Sequence, residues 1–517
     1  MDLFLSTFGN ASSMLLDPRI ILAIALGSLL GSAAGALPGI TTTLAVGVSL
    51  PFTFAMGPEA AVAFLVAITV GTNYGNSIPA VLVGVPGTPA AVLTAVDGYK
   101  LHQAGHSGLA LGVQYFAGMV GQLLSTVFFV AMVVPLSRLL YVFLAPELWA
   151  LILLGMCALI SLGGKNVFKG LLAGAMGLAV TFIGPDPVAL TGRYTFGWID
   201  LRPGLQTVPV VIGVLAISEL IRSCRQVYDW RDTGSTFSGR FPSVRQLRRT
   251  LRPIGIGTVA GTLMGAVPGV GGTASAFVAY QQAQIWSRTP EEFGEGSVEG
   301  LAANEAAQNA SQAGEMVPTF GFGIPGSGSM VLLLAALTVH GLVPGPLLIR
   351  ETPEMLYAGT AGLLGGVAVL AVIGWPLARV MLRLVLLNRA AVLVLALVLS
   401  MIGVYALRHS VFDVAVMMFF GLVGYFLLRY GYSTPAFALA VVLGSDFEGY
   451  LRYGLLLSDN SFRDFITRPV TSVLVLLSVG LLTYGVIGTV RQGRRRRQRA
   501  AELVAEDQPS GGQPSSG

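Results

Sequence analysis

Residues 75–90 read GNSIPAVLVGVPGTPA, and residues 314–329 read GEMVPTFGFGIPGSGS. Aligned without a gap, the two stretches coincide at Gly75/Gly314, Pro79/Pro318, Gly84/Gly323, Pro86/Pro325 and Gly87/Gly326, with apolar partners at Ile78/Val317 and Val85/Ile324. Glycine and proline disfavour helix interiors, yet both copies lie in strongly apolar surroundings. A second pair stands ahead of them: GSAAGALPGITTT at 31–43 and GTLMGAVPGVGGT at 261–273, sharing Gly31/Gly261, Gly35/Gly265, Ala36/Ala266, Pro38/Pro268, Gly39/Gly269 and Thr43/Thr273. The motifs recur in the same order at nearly the same separation. This points to a duplicated unit of roughly 240 residues, an internal repeat of the kind many membrane transport folds contain.

The solvent decides what such breaks mean. Of 517 residues, 54% are hydrophobic and 11% charged, against roughly a quarter charged in a soluble domain; an ordinary water-soluble enzyme is excluded. Apolar runs near the length of a bilayer-spanning helix recur at 20–37, 110–136, 143–162, 356–378, 390–407, 411–428 and 469–490. The chain therefore reads as an all-α polytopic membrane protein of roughly 10 to 14 crossings, with 40–55, 59–72 and 270–287 open to reading as full spans or re-entrant hairpins. Residues 1–17 contain no Lys or Arg, so the first apolar run lacks the basic flank of a cleaved signal and reads as a retained helix. Cys157 and Cys224 show no metal-ligand spacing.

Arginine sets the orientation. The net charge of +5 comes largely from 222–252 and 491–499, and the positive-inside rule puts both on the cytoplasmic side without calling for a nucleic-acid partner. Counting crossings from these points, the chain emerges inside after the first copy, at DGYKLHQAGHSG (97–108), and outside after the second, at HGLVPGPLLIRE (340–351). The two copies are then inverted relative to each other. The expected organisation is a first membrane repeat at 1–221, a basic cytoplasmic connecting loop at 222–253, a second repeat with additional C-terminal helices at 254–490, and a basic cytoplasmic tail at 491–517, disordered beyond Arg499. The N-terminus falls on the periplasmic side.

In hydrocarbon an unpaired N–H or C=O costs several kcal/mol, so interrupted backbone at membrane depth must face protein or an aqueous cavity. A half-helix that starts at such a break aims unpaired N–H groups and the positive end of its dipole into that cavity, an attraction for anions. Neighbouring carbonyls and hydroxyls suit a hard monovalent cation. On this basis Thr41, Thr42, Thr43, Asn76, Ser77, Gly87, Thr88, Gly272, Thr273, Gly326, Ser327 and Ser329 are candidates for an anionic substrate. Pro38, Gly39, Asn73, Pro268, Gly269, Asn304, Glu305 and Asn309 are candidates for a cation. A Pro-Gly pair also makes a plain turn, and Gly31/Gly35 and Gly261/Gly265 have the spacing of close helix packing; duplication of both motifs weighs toward a site.

Single residues sharpen this. Glu305, in GLAANEAAQNA (300–310), is a carboxylate in charge-poor sequence and suits ion coupling, with helix capping as the plainer alternative. Glu315 is a weaker candidate, since its counterpart is Asn76, and reads as a stabiliser of the half-helix start. Asp97 and Lys100 fall at a cytoplasmic turn, for which a gate or turn role fits better than ligation. His102 and His106 are four residues apart with no third ligand nearby, so metal binding is not expected. Arg193 and Arg202 lie in an outside loop suited to guiding an anion or docking a partner. Phosphate-loop and HExxH motifs are absent, so neither ATP-driven nor zinc-hydrolase chemistry is expected.

The phrases GALPGITTTLAV (35–46), YGNSIPAVLVGVPGTPAAVLTAVDGYKLHQAGHSGLALG (74–112), EGLAANEAAQNASQAGEMVPTFGFGIPGSGS (299–329) and HGLVPGPLL (340–348) resemble the large membrane subunit of the tripartite tricarboxylate transporters, the TctA family. The resemblance implies uptake of di- or tricarboxylates across the bacterial inner membrane, driven by a cation gradient. It also implies a periplasmic solute-binding protein and a small membrane subunit as partners. The coupling ion would be Na+, with H+ carried by Glu305 as the alternative; no organic cofactor is expected, and a homo-oligomer is compatible. Asn76 departs from the glycine usual in the family, which bears on which carboxylate fits. A stand-alone permease and a non-transporting membrane receptor for anions are the rival readings.

Overall fold

The computed structural model describes residues 2–37, 39–139, 143–162, 166–186, 191–224, 241–385 and 389–506; Pro38 lies outside them. The chain is helical almost throughout. The first half runs α1 (Asp2–Met14), α2 (Pro18–Ala36), α3 (Thr42–Ser49), α4 (Pro58–Val83), α5 (Val92–Gln103), α6 (Ser107–Leu139), α7 (Ala145–Leu162), α8 (Val167–Thr181), α9 (Thr207–Ile212) and α10 (Ser218–Cys224). The second half runs α11 (Val244–Gly265), α12 (Gly271–Trp286), α13 (Val298–Phe322), α14 (Gly328–Val339), α15 (Pro346–Glu351), α16 (Glu354–Val385), α17 (Arg389–Arg408), α18 (Val411–Arg429), α19 (Thr434–Leu457), α20 (Phe462–Ile466) and α21 (Pro469–Glu506). A π-helical turn, Gly213–Ile217, joins α9 to α10.

Among the described residues nine helical segments are long and apolar enough to cross a membrane: α2, α4, α6, α7, Thr207–Cys224, α16, α17, α18 and α21. The chain is a multi-pass membrane protein. Helices α11, α13 and α19 match them in length but carry more polar side chains. Of the three ambiguous stretches, 42–55 forms a short helix and a 3-10 turn, 58–83 one long helix, and 271–286 a helix of 16 residues.

The centre is built from α4 and α13, whose side chains are almost all buried. Each lies against one glycine-lined partner. A Cβ on Gly31 of α2 would meet the Ile68 carbonyl oxygen at 2.2 Å, and one on Gly35 the Thr72 oxygen at 2.3 Å. In the second half, Gly261 of α11 meets the Ala307 oxygen at 2.4 Å and Gly265 the Ser311 oxygen at 2.3 Å in the same construction. Residue numbers rise together along both pairs, so each pair is parallel and backbone touches backbone, as small-residue spacing permits. The following long helices cross over: α6 packs on α13, and α16 packs on α4. Each half therefore encloses the central helix of the other.

The duplicated phrase folds the same way twice. Proline 79 and Pro318 stand inside the last turns of α4 and α13, and Gly84 (φ 72°) and Gly323 (φ 70°) end those helices in the left-handed conformation, which glycine adopts without a Cβ penalty. The next N–H reaches back to the proline carbonyl, Val85 to Pro79 at 3.4 Å and Ile324 to Pro318 at 3.0 Å. The chain then returns alongside the helix it has just left: Gly87 donates its N–H to the Asn76 carbonyl at 3.2 Å, and Gly326 sits on the Glu315 side chain.

Two boundaries differ from expectation. The basic connecting segment turns helical at Val244, ten residues before the expected start of the second repeat at 254, because Ser243 and Gln246 form a reciprocal capping box there. The tail, expected to lose structure after Arg499, stays helical to Glu506; Ala500, Ala501, Glu502 and Leu503 are strong helix formers. We predict that Gly31→Leu forces α2 off α4, costs about 1–3 kcal/mol or more as overpacking does, and lowers the unfolding midpoint in detergent. Gly9→Ala, inside α1 with nothing within 4 Å of the new methyl, does not lower that midpoint.

Candidate substrate and ion site

Four helix starts meet at one cavity of about 160 Å³. Thr41, Thr42 and Thr43 line it from the start of α3; Thr88, Pro89 and Ala90 from the turn before α5; Gly272 and Thr273 from the start of α12; and Ser327 and Ser329 from the start of α14. The long central helices close the remaining sides with Asn73 of α4 and Gln308, Ser311, Gln312 and Glu315 of α13. Nine of the sequence-derived candidates thus share one wall: the eight substrate candidates just named at the helix starts, and Asn73 from the cation set.

The local chemistry follows from the breaks. The start of α3 is capped by its own Thr41, whose hydroxyl accepts from the Leu44 N–H at 3.2 Å. The N-cap residues of α12 and α14 and of the turn at Pro89 make no side-chain cap; Glu315 takes the Gly272 N–H at the start of α12, and the other first N–H groups remain for something in the cavity. Ser327 is turned elsewhere: its hydroxyl donates to Glu315 Oε2 at 2.6 Å and lies 2.9 Å from Ser329 Oγ. Backbone stitches hold the tips: Gly269, left-handed at φ 82°, donates its N–H to the Gly326 carbonyl at 3.0 Å.

Behind this wall a second, fully buried polar layer joins α4, α5 and α13. Asn76 Nδ2 donates to Thr88 Oγ1 and to Gln308 Oε1, each at 2.9 Å, and Asn73 Nδ2 donates to the Gln308 carbonyl at 3.1 Å. Ser77 Oγ lies 2.8 Å from Glu305 Oε1, which also accepts from the Thr94 hydroxyl. Asn304 Nδ2 in turn donates to Thr94 Oγ1 at 2.7 Å. Contacts at 73/308, 77/305 and 81/301, the last through Gly98, descend one helix while climbing the other, so α4 and α13 run antiparallel. Glu305 is wholly buried and held by hydroxyls rather than by a basic partner. It sits one layer behind the cavity.

The remaining candidates fall around this core. Asn76 and Ser77 belong to the buried layer, and Gly87 and Gly326 form the backbone of the tips. Asn309 bonds the Glu305 carbonyl at 2.9 Å and packs against Gly118 of α6. The Gly39 carbonyl accepts from Ser223 at 2.7 Å. Neither Pro268 nor Gly269 lines the cavity, and both lie in the turn between α11 and α12. Gln308, Ser311, Gln312 and Glu315 were not assigned to the cavity on sequence. Their spacing, repeating every three to four residues, was the available signal: it puts all four on one face of a helix.

Outside the cavity two charged groups are fixed structurally. Asp97 is buried and accepts N–H bonds on Oδ1 from Gly294 at 2.9 Å and from Gly296 and Ser297 at 3.0 Å, and the Tyr280 hydroxyl on Oδ2 at 2.7 Å. It clasps α5 to the segment that leads into α13. Arg193 pairs with Glu448 at 2.7 Å and Asp186 at 3.2 Å, and Arg452 pairs with both acids; this locks the paired strands Gly184–Pro185 and Gly192–Arg193 to α19, so Arg193 is not free to guide an anion. Among the described residues no group of three or more His, Cys, Asp or Glu side chains is placed to hold a metal ion. Asp97→Ala removes the acceptor of the Gly294, Gly296 and buried Ser297 N–H groups, at about 1–3 kcal/mol, and accelerates amide exchange at 294–297; Asp97→Asn keeps the accepting oxygen and exchanges close to wild type.

The profile of the Tripartite tricarboxylate transporter TctA family matches residues 21–439. An uncharacterized 52.8 kDa protein in the TAR-I ttuC' 3' region of Agrobacterium vitis is 31% identical over 499 residues, 96% of this chain and 98% of its own length. An uncharacterized protein in the TAR-II ttuC' 3' region of the same organism is 28% identical over 234 residues, 45% of this chain and 97% of its own. No solved structure matches. The chain belongs to the TctA family of tripartite tricarboxylate transporters.

Proposed function

We propose that this protein is the transport subunit of a secondary active, cation-coupled importer of di- or tricarboxylates, with the substrate held in the cavity where the four helix starts converge. That convergence carries the proposal. Uncapped helix starts present N–H donors and partial positive charge, the means by which transporters built from interrupted helices hold anionic groups near the bilayer midplane. Thr88, Ser329 and Thr273 add hydroxyl donors. At about 160 Å³ the cavity is smaller than the roughly 300 Å³ lower bound for drug-sized pockets, which favours a small acid.

The duplicated motifs, the antiparallel central helices and the crossed packing of α6 and α16 support an inverted repeat in the bacterial inner membrane, with the C-terminus cytoplasmic and the N-terminus periplasmic. Alternating access then arises as one bundle moves against the other around the cavity. The family membership supports a periplasmic solute-binding protein and a small membrane subunit as partners. Oxygen ligands around the breaks suit Na+, and Glu305 is the candidate for H+.

Reconstituted with those partners, the protein takes up labelled carboxylate only while a cation gradient is present. Thr88→Val or Ser329→Ala reduces uptake about tenfold, the effect of losing about 1.4 kcal/mol of binding. Uptake indifferent to the gradient rules out coupling, and full uptake without a binding protein makes the chain a stand-alone permease. Tags at positions 103 and 349 label from opposite faces of the membrane; labelling from one face refutes the inverted arrangement.

A further inference from the structure

The cavity has a charge problem. Among the described residues that line it, Glu315 is the ionisable one, and no Lys, Arg or His faces the space. Glu315 is 6% exposed, and it draws on donors that an anion would use, the Ser327 hydroxyl at 2.6 Å and the Gly272 N–H. A pocket that attracts a carboxylate through helix starts, then spends two of those donors on a carboxylate of its own, is self-opposed unless a positive charge enters with the ligand.

A second observation points to the same place. Gln312, one turn before Glu315 on α13, lines the cavity, is 4% exposed, and neither its amide nitrogen nor its amide oxygen has a partner in the protein. Buried polar groups left unpaired are rare and ask for an explanation. An amide beside a carboxylate offers an oxygen to a cation and an N–H to an anion at once. The duplicated sequence adds a comparison. Position 76 bonds position 88 in the first half, Asn76 Nδ2 to Thr88 Oγ1 at 2.9 Å, and the aligned pair bonds in the second, Ser327 Oγ to Glu315 Oε2. The same contact is neutral on one side and acidic on the other.

We infer that a hard monovalent cation binds between Glu315 and the substrate carboxylate, with oxygens from Glu315, Gln312, Ser327 and Ser329 as ligands, so that cation and substrate share one site and each strengthens the binding of the other. This rests on the reading that the cavity takes a carboxylate. It moves coupling from the hydroxyl-bound Glu305, a layer behind, to the cavity wall itself. By linkage, the factor by which the cation tightens the acid equals the factor by which the acid tightens the cation.

The test uses the full chain in lipid nanodiscs and radiolabelled Na+ as the direct probe, with a panel of citrate, tartrate and succinate added in turn. Wild type binds Na+, and at least one acid tightens that binding fivefold or more. Glu315→Gln, nearly the same shape without the charge, weakens Na+ binding at least tenfold and abolishes the enhancement, while its unfolding midpoint without Na+ stays within a few degrees of wild type. Glu315→Asp, which keeps the charge, retains measurable Na+ binding. The inference is overturned if wild type binds no Na+, if Glu315→Gln binds Na+ as wild type does, or if Glu305→Gln removes the binding that Glu315→Gln keeps. Sodium binding lost in Glu315→Gln but unaffected by every acid in wild type would leave the cation site standing and refute the carboxylate reading instead.

Discussion

Interrupted backbone inside hydrocarbon has to be surrounded, and this requirement organises the molecule. Breaks at Gly39, Gly87, Gly269 and Gly326 free N–H and C=O groups that lipid cannot satisfy. The protein meets the demand partly by pairing tip with tip, as Gly269 does with Gly326, and partly by gathering four helix starts around one polar cavity. The rest of the packing serves to enclose that place. Glycine lines let α2 and α11 approach the central helices to backbone contact, which brings the breaks to a common level.

The crossed packing of α6 and α16 adds a mechanical condition. Each half places its long helix against the other half's centre, and the polar layer of Asn76, Ser77, Thr94, Glu305 and Gln308 bonds across the same seam. A buried layer of this sort is costly when half satisfied and rigid when complete. Movement that opens the cavity therefore has to occur where this layer is thin, among the short helices α3, α12 and α14, or through displacement of whole bundles.

Much of this was legible in the sequence because the decisive residues are backbone residues. Glycine at 84 and 323, five residues after a proline, foretells a helix end in any environment, and writing the phrase twice shows that the end is used twice. The threonines and serines beside the breaks were found for the same reason: they sit next to a marker. Gln308 and Gln312 sit next to none, and Glu315, though inside the repeated phrase, reads there as a stabiliser of the half-helix start. Seven polar residues fall between 304 and 315, and which of them face the cavity depends on how α13 is rotated against α4, a tertiary fact. Glu305 illustrates the difficulty. Its charge-poor sequence context made it conspicuous as an intramembrane acid, yet its oxygens are turned toward Ser77 and Thr94 in the inter-helix seam, while the less conspicuous Glu315 faces the open space. The helix beyond Arg499 was missed because that segment shows no apolar periodicity, whereas its local composition favours helix.

The Asp97 clasp breaks the likeness of the two halves. Its acid gathers three main-chain donors and a tyrosine at one end of the assembly, but the position aligned with it in the other copy of the repeat is Ala336, which can gather none. A scaffold duplicated in outline but fastened on one side only has no reason to rest midway. In the alternating access proposed above, the two end states then differ in free energy before any solute arrives, and an arriving load works against that bias or with it.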